Sequence, residues 1–97
     1  MSRAAIEGKL RELTDRLRRS REQLAVLDEQ LLVFRETADE TRLQALVDDR
    51  PDSRLESKEA ARHAEATGKA RDHLAATISE LEQARDDLLD RLVREAG

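Results

Sequence analysis

The chain has no cysteine, no tryptophan and no tyrosine, and a single phenylalanine, Phe34. Without cysteine there is no disulfide and no thiolate metal site, and the redox compartment is left open. Aromatics make up 1% and charged residues 41% of the 97 residues, so a thick globular core is out of reach and one domain is the most to expect. Proline occurs once and glycine three times, so little interrupts the chain. No apolar run approaches membrane-spanning length, and the opening MSRAAIEGKL has no apolar signal-type segment. A cytoplasmic protein that engages no membrane is expected. Arginine supplies 15 of the 18 basic residues, which points to a GC-rich genome and not to a function.

What the chain does have is helix formers in a strict order. Ile6, Leu10, Leu13, Leu17, Ser20, Leu24, Leu27, Leu31, Phe34 and Ala38 follow one another in alternating steps of four and three. Such a heptad pattern specifies a narrow apolar seam along one helix. Glu7 to Arg11 and Glu12 to Arg16 have the favourable spacing and direction for ion pairs on its surface. Beyond Glu36 the pattern weakens to Ala38, Thr41 and Ala45. Thr37 and Glu40 have capping-box spacing, but no glycine or proline forces a break, and the helix is expected to continue. Leu32, Leu43, Leu46 and Val47 fall on the side away from the seam, where a lone pair of helices would leave them wet.

The one proline lies in LVDDRPDSRLESKEA, residues 46–60. Pro51 lacks an N–H and disfavours helix at Arg50. Ser53 and Glu56 have capping-box spacing, and Asp52 suits the positive end of a helix dipole. Asp48 and Asp49 would sit at a helix C-terminus, where negative charge is unfavourable. These signals predict helix 1 over about residues 3–48, a turn over 49–53 and helix 2 over about 54–95. Helix 2 begins with small residues (Ala60, Ala61, Ala64, Ala66, Ala70) and ends with large ones (Leu74, Ile78, Leu81, Leu88, Leu92). Gly68 lies between, as a site for a slight bend or a close approach.

Folding the helices back about the turn sets leucine-rich residues 6–17 beside leucine-rich residues 81–92. The charges choose the same register. Residues 3–22 hold seven basic and four acidic side chains, whereas residues 79–95 hold three basic and six acidic. The expected fold is therefore all-α, a single antiparallel coiled-coil hairpin, with arms roughly 60–70 Å long at the helical rise.

Little in the chain carries chemistry. His63 and His73 are the only histidines; Glu59 and His63 have metal-ligand spacing, but no further histidine or cysteine joins them. The serines belong to no nucleophile motif, and there is no glycine-rich phosphate loop. The basic run RLRRSR, residues 16–21, faces the acidic arm in the hairpin, while a net charge of −4 and the lack of stacking aromatics argue against nucleic acid. No cofactor, metal or small-molecule substrate is expected, nor enzymatic activity.

A helical hairpin with acidic residues at its tip resembles the finger of the Gre-type and DksA-type factors. Those factors insert a coiled coil into the secondary channel of bacterial RNA polymerase, and their tip carboxylates act near the catalytic magnesium. The resemblance implies that role for Asp48, Asp49 and Asp52 and covers the hairpin alone; a second globular domain and zinc-binding cysteines have no counterpart. In length the chain is similar to the small secreted helical hairpins with a Trp-x-Gly turn, from which it departs by having no tryptophan and the turn DRPDS. The leading expectation is a non-enzymatic coiled coil that binds another protein or itself, with a homodimer as the simplest way to cover Leu32, Leu43, Leu46 and Val47.

Overall fold

In the computed structural model, which describes residues 1–96, the chain forms two α-helices, α1 (Arg3–Asp48) and α2 (Pro51–Ala96), packed against each other as an all-α hairpin. Ser2 caps α1: its Oγ accepts from the Ala5 N–H at 3.2 Å and its carbonyl from the Ile6 N–H at 3.0 Å. The helix does not break at Thr37. The Thr37 hydroxyl donates to the Val33 carbonyl at 3.1 Å, and the Thr41 hydroxyl to the Thr37 carbonyl at 2.8 Å. A hydroxyl engaged one turn back is unavailable for capping, so the capping-box spacing stays unused.

Burial traces the seam further than the sequence pattern suggests. Ile6, Leu10, Leu13, Leu17, Ser20, Leu24, Leu27, Leu31, Phe34, Ala38, Thr41, Ala45 and Asp48 are all buried or half-buried, in unbroken steps of four and three. On α2 the matching line is Ser53, Ser57, Ala60, Ala64, Thr67, Arg71, Leu74, Ile78, Leu81, Arg85, Leu88 and Leu92. Ala61, Ala66 and Ala70 stand outside it, exposed. Alanine content alone does not fix the phase of a helix, and here Ser57, Thr67 and Arg71 occupy the inward positions instead.

The packing divides into two compact units. One combines residues 1–24 with the described residues from 74 onward. Its centre is Leu17, Ile78 and Leu81, with Leu13, Leu24 and Leu74 packed around them. Arg21 Nη2 meets Glu82 Oε2 at 3.3 Å, so the opposite-sign arms make contact there. Other pairs in this unit lie within a helix: Glu7 pairs back with Arg3 at 3.1 Å, and Arg18 with Glu22 at 3.7 Å. Exposed pairs of this kind contribute about 0–1 kcal/mol each, so the leucine cluster carries this unit.

The other unit is Ala25–His73. Leu31 is buried, and Arg71 Nε crosses to Asp28 Oδ1 at 2.8 Å. That hydrogen bond, with the charge of Asp28, holds the Arg71 guanidinium above its usual range. The Phe34 ring lies 5.6 Å from the His63 ring, tilted by 42°. Nearer the turn the seam contains only small or polar side chains: Ala38, Thr41, Ala45 and Asp48 on α1, and Ser53, Ser57, Ala60 and Ala64 on α2. A Cβ built on Gly68 would meet Leu31 Cδ1 at 3.8 Å, an ordinary contact, so glycine is not required there for a close approach.

The turn is shorter than expected. α2 begins at Pro51, not after Ser53, which leaves Asp49 and Arg50 as the whole connection. Proline at the first helical position needs no N–H partner and has a helix-ready φ. The Arg54 N–H bonds the Arg50 carbonyl at 3.1 Å and closes the first turn. Ser53 is therefore inside the helix, buried, and is not its cap. Asp49 has φ 53°, the left-handed conformation that ends a helix, and its N–H still bonds the Ala45 carbonyl at 3.2 Å.

Chemical denaturation checks these assignments. Leu17→Ala is expected to cost about 3 kcal/mol, against under about 0.5 kcal/mol for exposed Arg19→Ala. Gly68→Ala should stabilise by about 1 kcal/mol through helix propensity. At the turn, Asp49→Gly should be neutral or stabilising, whereas Asp49→Val should cost about 1–2 kcal/mol, because a β-branched residue resists positive φ. Equal effects at Leu17 and Arg19, or a stable Asp49→Val variant, would contradict the packing described.

Candidate interaction face

Every α1 residue on the seam has its opposite number on the outer surface. There the structure places Leu32, Leu43, Leu46 and Val47 at 61%, 58%, 75% and 82% exposure. Val26 and Val33 are also exposed on this helix, and the sequence reading passed over both. The heptad count itself could have found them. Val26, Val33 and Val47 recur at multiples of seven, as do Leu32 and Leu46, on the side away from the buried line. All six belong to the Ala25–His73 unit.

Three residues of this face, Leu43, Leu46 and Val47, lie along the poorest part of the seam. Between Ala38 and Ala64 no large apolar side chain points inward, while Leu43, Leu46 and Val47 point outward. In a helix pair that buries its apolar stripe the order is the reverse. This segment thus carries most of its burial potential on a surface that the hairpin leaves open.

The three tip carboxylates are near one another in sequence but are engaged separately. Asp48 Oδ2 accepts from Gln44 Nε2 at 2.6 Å and from the Ser53 hydroxyl at 3.1 Å, so it ties the last turn of α1 to the first turn of α2. Its half-buried place at the end of the seam supplies the role that its charge at a helix C-terminus had left unexplained. Asp49 Oδ1 pairs with Arg54 Nη1 at 2.8 Å. Asp52 lies in the first turn of α2, where the helix dipole favours an anion.

Other candidate chemistry is sparse. Among the described residues no group of three His, Cys, Asp or Glu side chains is placed to hold a metal ion. His63, which has ligand spacing from Glu59, turns its ring toward Phe34. In the basic run, Arg21 reaches Glu82 and Arg18 reaches Glu22, while Arg16 and Arg19 are exposed. A groove beside the leucine cluster has Leu13, Ala84 and Leu88 on its floor and Lys9, Asp87 and Arg91 around it. No helix is long and apolar enough to cross a membrane among the described residues. The chain matches no protein-family model, no curated protein and no solved structure.

Proposed function

We propose that the chain is a non-enzymatic coiled-coil module for protein–protein interaction, acting in the cytoplasm without a cofactor, and that it associates with a second copy of itself through the outer face of α1. The observation that carries this is the inversion around residues 38–64. The inward positions there are alanine, serine, threonine and Asp48, and the outward ones include Leu43, Leu46 and Val47 at 58–82% exposure. Scattered apolar residues on a surface are ordinary, but a cluster on one helix face marks a site for a partner. Two-fold self-association covers it with no component beyond this chain.

The tip gives less support to a polymerase-channel role. Asp48 and Asp49 are held by Gln44, Ser53 and Arg54, and Asp52 serves its helix end, so each carboxylate has a use in the turn itself.

Light scattering tests self-association. The 11.0 kDa chain should show about twice that mass at ~100 µM, and Leu43→Glu with Leu46→Glu should return it to a monomer of unchanged helicity. A wild-type monomer at that concentration would sink the proposal. Asp48→Asn with Asp49→Asn should leave association intact and cost at most about 1 kcal/mol of stability, through weakened hydrogen bonds at the turn. An in vitro transcription assay in which the wild-type chain alters polymerase activity, and this double variant does not, would restore the tip reading.

A further inference from the structure

Nothing in the seam itself decides whose helix fills it. If the reversal were lost and α1 ran on into α2 as one helix, two copies lying antiparallel could remake the α1–α2 contacts between chains, Arg71 to Asp28 and Arg21 to Glu82 among them. Exchange of identical elements between copies is a low-cost route to a dimer. The choice between a closed hairpin and that exchanged pair therefore lies in the link, residues 48–53.

Part of the link favours exchange. Asp49 is the one described residue with a positive φ, 53°, a conformation that straightening into helix would relieve. The connection is only two residues long, and short strained links invite exchange.

Two features oppose it. Pro51 suits the first position of α2, but in one continuous helix it would be interior. There it offers no N–H to the Val47 carbonyl and its ring collides with that carbonyl, a penalty larger than that of one left-handed residue. The second feature is phase. The inward line of α1 ends Thr41, Ala45, Asp48, and that of α2 begins Ser53, Ser57, Ala60. After Asp48 the rhythm of four and three calls for a step of four, but the next inward residue is five places on. Asp48 and Ser53 hold equivalent places in the rhythm, and a helix turns about 100° per residue, so in one continuous helix the two lines would lie roughly 140° apart. A neighbour running along one side of that helix meets only one of them.

We infer that Pro51 and the five-residue step from Asp48 to Ser53 together hold the seam closed within one copy and shut off the exchanged pair. Contact between copies is thereby left to the outside of the hairpin.

The full chain has no native cysteine, so spin labels can be placed at Arg21→Cys and Glu82→Cys, exposed residues whose side chains meet across the helices at 3.3 Å. The short distance between the labels should survive refolding with a ten-fold excess of unlabelled chain, whether or not hairpins associate through their outer faces. It should survive equally in Pro51→Ala, where the phase still fails, and with two alanines inserted between Arg50 and Pro51, where the proline remains. With both changes the step becomes seven, one full heptad, and the two lines share a face. Each change adds only alanine at an exposed turn, so helicity by circular dichroism should be unchanged. In the combined variant the same dilution should reduce the short-distance signal about ten-fold, because the labels then meet only between chains. Loss of the signal in the unaltered chain, or its persistence in the combined variant, would overturn the inference. Loss in Pro51→Ala alone would remove the part given to the step, and loss with the insertion alone the part given to the proline.

Discussion

The whole structure depends on one apolar seam, a single layer of side chains between two helices. A globular core surrounds each side chain with several elements, but here an inward residue on α1 has only α2 to pack against. The stability of any stretch is then set by the side chains in its own layers. Where the layers are Leu17, Ile78 and Leu81 the helices are held firmly. Where they are Ala45, Ser57 and Ala60, little apolar surface is removed from water.

Several polar residues of the seam are held by named partners: Thr41 by the Thr37 carbonyl, Asp48 by Gln44 and Ser53, and Arg71 by Asp28. Ser20 and Ser53 are buried, and no buried side-chain nitrogen or oxygen among the described residues lacks a partner. Arg71 and Arg85 lay their stems along inward positions and send their charged ends to Asp28 and Asp86. Of the two, only the Arg71–Asp28 pair joins the helices, since Asp86 neighbours Arg85 on α2, and as an exposed pair it adds little to stability.

Much of this was legible beforehand. The steps from Ile6 to Ala38 give the first helix and its inward face, and Pro51 marks the reversal. The pairing of leucine-rich and oppositely charged segments gives the register. The phase of the early part of α2 was not legible, since Ala60, Ala61, Ala64 and Ala66 offer several equivalent stripes and only packing against α1 selects among them. Ser53 imitated a cap because a capping box and a serine two residues inside a proline-initiated helix share the same spacing. The use of Asp48 depends on a contact between the ends of two helices, which a pattern within one helix does not encode. Of the candidate face, the four residues named from the sequence are indeed exposed, and Val26 and Val33 join them once the buried line is traced throughout.

The uneven seam also bears on the order of folding. A hairpin usually closes from its turn outward, since contacts near the turn join residues close in sequence and cost the least loop entropy. Here the layers beside Asp49 and Arg50 are the least apolar. The stronger contacts join distant residues: Asp28 and Arg71 are 43 apart, Arg21 and Glu82 are 61 apart. The two-residue connection brings the helices together cheaply but offers little to hold them. The rate-limiting step should therefore come late, when the leucine layers meet across a long loop, so that collapse at Leu17, Ile78 and Leu81, and not formation of the turn, sets the pace.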